Sequence, residues 1–194
     1  MRIVVVGATG TIGKAIVAAL ARDHEVLPAS RKSKIRVDVT DPDSIRAMYR
    51  TAGRFDALVS AAGDARFAPL SKLTDADFQF SLGHKLMGQV NLIRFGMDSM
   101  NDGGSFTVTT GILARTPMPG SGAISLVNAG LEGFMRAAAL EAPRGIRVNA
   151  VSPPWITDTL EALGMDPSGG MTPEATARLY VRSVTGKDTG AVIE

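Results

Sequence analysis

The sequence predicts an α/β fold. The expected form is a three-layer Rossmann arrangement, a doubly wound, mostly parallel sheet of about seven strands with helices on both faces. Three observations carry this. Strand-like and helix-like segments alternate along the whole chain. The first strand, Arg2–Val6, is a continuous apolar run, as a strand buried on both faces requires. A glycine-rich loop, Gly7 to Gly13, joins that strand directly to a helix. The 194 residues hold no internal repeat, charge block or low-complexity linker, so the chain reads as one domain over 1–194.

Each element has its own reason. Small and aliphatic residues at helical spacing predict a helix over 12–21. Residues 25–29 form a second strand and 35–39 a short third one. Asp41-Pro42-Asp43-Ser44 places proline and acids in the first turn of a helix reaching about Thr51. A buried strand, 57–60, runs into Ala61-Ala62-Gly63. Thr74-Asp75-Ala76-Asp77 starts a helix, and 82–100 reads as a long one. A strand at 104–110, a second long helix at 125–142 and a strand at 145–151 follow. Thr172 caps a helix over 172–183 with Pro173 at its first position, and 189–193 is the last strand. One connection is too short. Parallel neighbours need a crossover of about a dozen residues or more, yet only 30–34 separate the second and third strands, a reach of ~17 Å. The third strand is therefore expected to be stubby, its crossover helix deleted.

Composition removes several chemistries. There is no cysteine, hence no disulfide, thiolate nucleophile or thiolate-bound metal. With two histidines, His24 and His84, no multi-histidine metal site is expected either. Aromatics are 5%, so the core must be mostly aliphatic. No apolar run approaches the ~18 residues of a membrane span, and the N-terminus reads as a strand rather than a leader. A cytoplasmic protein is expected. The net charge of +2 is a small surplus rather than a basic stripe and gives no case for nucleic acid.

Gly7-Ala8-Thr9-Gly10-Thr11-Ile12-Gly13 has the strand-before, helix-after context that a phosphate-binding loop needs. Gly7 permits the tight turn, Gly10 lets backbone N–H groups approach a pyrophosphate, and Gly13 lets the helix pack close to the sheet. The helix N-terminus then faces the phosphates with its partial positive charge. At the end of the second strand an acid would hold the 2′-hydroxyl of NAD. Here the residues are Ser30-Arg31-Lys32-Ser33. Arg31 offers a fork for a 2′-phosphate and Lys32 adds charge, so NADP is favoured.

With these features the chain resembles the short-chain dehydrogenase/reductase family over essentially its whole length. Val37-Asp38-Val39-Thr40 is similar to the family's Asp-Val segment beside the adenine, and Ala61-Ala62-Gly63 to its Asn-Asn-Ala-Gly segment with the asparagines lost. Arg147-Val148-Asn149-Ala150-Val151-Ser152-Pro153 is similar to the strand before the nicotinamide. Ala139-Leu140-Glu141 and Thr189-Gly190 also match. The middle glycine falls at Gly10 rather than at Thr11, the form of the family's extended and atypical branches. The resemblance implies cofactor contacts from Gly7, Thr9, Gly10, Thr11, Ile12, Gly13, Ser30–Ser33, Asp38, Val39, Ala61, Ala62, Gly63, Pro153 and Ile156, including Arg31 and Lys32.

The resemblance also implies hydride transfer between NADPH and a small carbonyl or alcohol. The family uses a tyrosine as acid/base, a lysine that lowers its pKa, a serine that polarises the carbonyl and an asparagine that anchors a relay water. A phenol near pKa ≈ 10 needs such a cation to work near neutrality. Aligning Ala129-Gly130-Leu131-Glu132-Gly133-Phe134 and Leu86-Met87-Gly88 puts Ile124 at the tyrosine, Asn128 at the lysine, Gly111 at the serine and Lys85 at the asparagine. All four differ, and Tyr49 and Tyr180 lie in other helices. The chain thus resembles a subgroup of short members that lack the Ser/Tyr/Lys set.

Candidate replacements are Lys85 as acid or anion hook, Thr110 as a donor to a carbonyl and Asn128 as a partner of the nicotinamide ribose. The competing structural readings are an exposed lysine at 85 and a strand-end threonine satisfying backbone groups. His84, one position earlier on the helix, is expected to face solvent or a partner subunit. Trp155 either lines the pocket or anchors packing, and 155–171 reads as a short, mobile lid over a small substrate. Two functions stand at this point: an NADP(H)-dependent oxidoreductase with a non-standard proton donor, and an NADP(H)-binding sensor without catalysis. The resemblance further implies a homodimer or homotetramer through the two long helices.

Overall fold

Within the first strand the side chains already divide the molecule into layers. The computed structural model describes residues 1–194. Ile3, Val4, Val5 and Val6 of β1 (Arg2–Val6) are fully buried. Successive residues point to opposite faces. Val4 and Val6 enter one apolar core, beneath α2 (Pro42–Ala52), α4 (Gly88–Gly96) and α5 (Gly122–Glu141). Ile3 and Val5 enter another, beneath α1 (Thr11–Leu20) and α7 (Pro173–Thr185). Two-sided burial is why the strand shows no polar alternation.

The remaining elements are β2 (Glu25–Ser30), β3 (Ile35–Arg36), β4 (Phe55–Ser60), α3 (Asp75–Ser81), β5 (Met100–Thr109), β6 (Arg147–Val151), α6 (Thr157–Ala162) and β7 (Val192–Ile193). All seven strands are parallel, in the order β3-β2-β1-β4-β5-β6-β7. The order reverses between β1 and β4, which opens a crevice at the strands' carboxyl ends. No helix is long and apolar enough to cross a membrane.

Several expected boundaries move, each for a local reason. The third strand is even shorter than 35–39: only Ile35 and Arg36 pair with Ala29 and Ser30. The last strand shrinks to two residues because Gly190 turns the chain at φ 70°. β5 starts at Met100, not 104, since Met100 pairs with Phe55 and Asn101 Nδ2 donates to Asp56 Oδ1 at 2.7 Å. Helix α5 begins at Gly122 rather than 125, after Gly120 turns at φ 90°.

The run expected as one helix over 82–100 has three parts. A π-helical turn, Leu82–Met87, leads into α4, and a 3₁₀ turn, Met97–Ser99, ends it. At the π turn Gln89 inserts into the backbone ladder. Its Nε2 donates to the Lys85 carbonyl at 3.2 Å and to the Thr109 carbonyl at 2.8 Å, and its Oε1 accepts from Thr109 N at 2.7 Å. A side chain that takes over a backbone bond is one defined cause of such a break. The segment expected as a lid, 155–171, bonds its own two ends together. Met171 N donates to Trp155 O at 2.8 Å and Thr157 N to Met171 O at 3.1 Å, closing a loop around α6.

Candidate functional site

A cleft of about 530 Å³ lies at the topological switch point. Gly7, Thr9, Gly10, Ser30, Arg31, Lys32, Asp38, Val39, Ala61, Ala62 and Gly63 line it. The three loop glycines have separate tasks. Gly7 stands at φ 82°, and a Cβ there would lie 2.8 Å from the Ala61 carbonyl carbon. A Cβ on Gly13 would overlap the Gly7 carbonyl oxygen and lie 2.8 Å from Gly7 C. Around Gly10 the only neighbour is Gly7 O at 3.4 Å, so that residue faces the open cleft. Gly10 is also the N-cap of α1 and brings no capping side chain, and the first turn holds no acid. The first N–H groups of the helix are therefore free for an anion.

Thr11, Ile12 and Gly13 do not line the cleft. Gly13 is buried against Gly7, and Ile12 packs on the α1–α7 core, so any contact from this trio comes from the backbone. Ser33 is also off the wall. It holds the turn instead: Ser30 Oγ accepts from Lys32 N at 3.1 Å and Ser33 N at 3.0 Å, and the two hydroxyls share a bond of 2.7 Å. That turn leaves Arg31 and Lys32 exposed at the rim, with no ion pair to the protein. Asp38 accepts from Thr40 N at 3.0 Å and Thr40 Oγ1 at 2.7 Å, which holds its carboxyl below the usual range; the nearby Arg31 and His84 act in the same direction.

Sequence reasoning missed Lys14, Asp64 and His84 on this wall. His84 is a correction. It lines the cleft and stacks on Phe80 at 4.1 Å, with Arg66 at 3.9 Å on a Phe80 face. Of the two neighbours it is His84, not Lys85, that lines the cleft. Pro153 and Ile156 lie outside the wall of the cleft, buried in the connection to the lid. Trp155 meets Phe67 edge-on at 6.0 Å.

Three predicted site residues, Lys85, Thr110 and Asn128, are buried polar groups that do not line the wall of the cleft. Lys85 is 9% exposed. Burial pulls its amine down to about 8, against an opposing pull from the Asp64 charge. It makes no hydrogen bond and no ion pair, unlike most buried cations. A Cβ on Gly63 would sit 3.1 Å from both Cα and Cδ of Lys85, so the glycine provides the groove for the lysine stem. Asn128 is buried, with Nδ2 beside Gly111 and Oδ1 without a donor, and Ser60 Oγ is likewise sealed without a partner.

Thr110 is turned away. It is 3% exposed, and its hydroxyl lies 3.4 Å from both Glu132 Oε1 and the Val151 carbonyl. Glu132 in turn is held by Arg136 at 3.0 Å and by Arg115 at 3.4 Å, and Arg115 also pairs with Glu194. Neither tyrosine reaches these groups. Tyr49 is buried under α4 and donates to the Leu92 carbonyl, while Tyr180 shares a 2.6 Å bond with Thr109 on the opposite face of the sheet. Burial raises both phenols.

Comparison with known proteins bears on this geometry. The profile of a family described as Enoyl-(Acyl carrier protein) reductase matches residues 2–193. Among curated proteins, the 3-oxoacyl-[acyl-carrier-protein] reductase of Thermotoga maritima is 31% identical over 154 residues, 76% of this chain and 62% of that protein. A hydroxynaphthalene reductase of Aspergillus fumigatus is 32% identical over 110 residues, 56% of this chain, and the match spans only 40% of that enzyme. Among solved structures, lin1944 from Listeria innocua has a TM-score of 0.94 and 40% identity, covering 99% of this chain and 98% of its own. A small-chain dehydrogenase in complex with NADPH has a TM-score of 0.88 and 26% identity, covering 100% of this chain and 95% of its own.

Proposed function

The chain belongs to the short-chain dehydrogenase/reductase family, and from that premise we propose that it is an NADP(H)-dependent oxidoreductase of small carbonyls or alcohols, with Lys85 as proton donor. The unpaired, buried Lys85 amine, whose stem packs against Gly63 of the cleft wall, carries this reading. The residues present suit the cofactor. Gly10 leaves space where a side chain would stand, the first turn of α1 offers free N–H groups, and Asn128 Oδ1 lacks a donor that a ribose hydroxyl would supply. Arg31 and Lys32 would hold the 2′-phosphate by a charged fork and a point charge.

The bound nicotinamide supplies or accepts the hydride. The protein's part is to orient and to move a proton. The Lys85 ammonium donates to the carbonyl oxygen as negative charge builds there, and an acid whose pKa lies near working pH suits that step. Asn128 orients the ribose, and Thr110 with Glu132 fixes the end of β5 rather than touching substrate. The loss of all four usual catalytic positions favours a second reading, a cofactor-binding sensor in the cytoplasm.

Both readings meet one experiment, NADPH titration followed by oxidation at a carbonyl panel. Tight NADPH binding with turnover that drops at least ~100-fold in Lys85→Ala is expected. Binding without turnover on any carbonyl would leave the sensor, and no binding would sink both. In Arg31→Ala, NADPH affinity should fall at least ~10-fold with NADH affinity little changed; equal losses would refute the 2′-phosphate assignment.

Assembly is read from the two long helices: on α5, Leu126 and Leu140 are 50% and 89% exposed, and Met87, just before α4, is 41% exposed. We propose that these helices pair in a homodimer or homotetramer, burying apolar area that a monomer leaves in water. Light scattering at micromolar protein should give a dimer or larger; a monomer would contradict it.

A further inference from the structure

The proton-donor role uses Lys85 as an ammonium, but its neutral amine has a chemistry of its own. We propose that Lys85 is also an imine-forming nucleophile, which captures a small aldehyde or ketone covalently at the substrate end of the cleft. This rests on the placement of the carbonyl at Lys85 given above, but not on the cofactor.

Four features support it. First, the amine has no acceptor to occupy it. Second, it lies beside the cleft: His84, the residue before it, and Gly63, against which it packs, are both on the wall. Third, it is held in place: the stem lies against Gly63, and Gln89 ties the Lys85 carbonyl to the end of β5. Fourth, the other five lysines, at 14, 32, 34, 72 and 187, are all exposed, so Lys85 is the one in a desolvated setting. With the amine pulled to about 8 by burial, roughly a tenth of it is neutral at pH 7.

The step balances. The Nζ lone pair attacks the carbonyl carbon and a C–N bond forms. The former carbonyl oxygen takes up the proton lost by nitrogen and one from solvent, and leaves as water. The product is a protonated imine, whose positive charge stays in the field of Asp64. Hydrolysis reverses the step.

The test uses the full chain without cofactor, mixed with limiting propanal or acetone and sodium cyanoborohydride, then quenched and mapped by peptide mass spectrometry. Alkylation at Lys85 should exceed that at each exposed lysine at least ~10-fold, with the Met1 amine quantified on its own peptide. Lys85→Arg, which keeps the charge but forms no stable imine, should lose only that label. Labelling of Lys85 at or below the rate of the exposed lysines would overturn the proposal. NADPH titration of the same sample judges the oxidoreductase reading separately, since NADPH can fail to bind while Lys85 is labelled, or bind while it is not.

Discussion

Gly13→Ala should lower stability by about 3 kcal/mol or more and abolish NADPH binding with it. A Cβ there overlaps the Gly7 carbonyl oxygen and comes within 3.0 Å of Ala8 Cα. Both neighbours are backbone, so no rotamer change relieves the clash, and overpacking against rigid structure costs about 1–3 kcal/mol or more. Relief requires α1 to back away from β1, which also turns its free N–H groups off the cleft. For a chain of this length, about 3 kcal/mol corresponds to a melting point lower by ~6–12 °C. Gly10→Ala separates fold from ligand. Its Cβ would meet only Gly7 O at 3.4 Å, an ordinary contact, while its methyl would project toward the cleft. That variant should melt within ~2 °C of the parent yet bind NADPH at least ~10-fold more weakly. A Gly13→Ala protein melting like the parent, measured by circular dichroism, would show that this packing is not needed.

The contrast also shows which parts of the molecule were legible beforehand. β1 and the loop from Gly7 to Gly13 carry local signals, an apolar run and a glycine spacing, and the structure places them as read. The cation pair at Arg31 and Lys32 was legible for the same reason, because a turn at a strand end needs no distant partner. What failed depends on residues far apart in sequence. The π turn at Leu82–Met87 is made by Gln89 reaching Thr109, twenty positions on. Helical periodicity contains nothing of that bond, so 82–100 read as one unbroken helix. The early start of β5 is hidden behind Asn101-Asp102-Gly103-Gly104, which reads as a turn, and it pairs through Asn101 with Asp56. Thr110 stayed open between a carbonyl donor and a strand-end residue because Glu132, the carboxylate it faces, lies on α5 and is itself held by two arginines. Lys85 was legible as a position, but its isolation from any acceptor was not.

That isolation has a thermodynamic consequence. Lys85→Met should stabilise the protein by about 3 kcal/mol at pH 7, raising the melting point by ~6–12 °C. The amine stands at about 8 in the folded chain against 10.5 for the unperturbed group. Below pH 8 both states hold the proton, and the fold carries the whole cost of a desolvated ammonium. Between pH 8 and 10.5 the folded state has released a proton that the unfolded state still binds, so stability rises with pH across that window. Above 10.5 the cost is gone. Methionine keeps an unbranched stem of similar length for the groove at Gly63 and removes the charge. Its advantage should therefore be greatest at and below pH 8 and fade to near zero by pH 10.5, as read by denaturant unfolding across the range. A gain that does not change with pH, or no gain, would mean that the ammonium is solvated in the native state. Lys85→Met should also lose the cyanoborohydride label and carbonyl turnover. A charge that destabilises the fold at neutral pH, where an apolar residue would fit, is difficult to explain by packing alone; a group kept reactive by its own desolvation accounts for both the cost and the position.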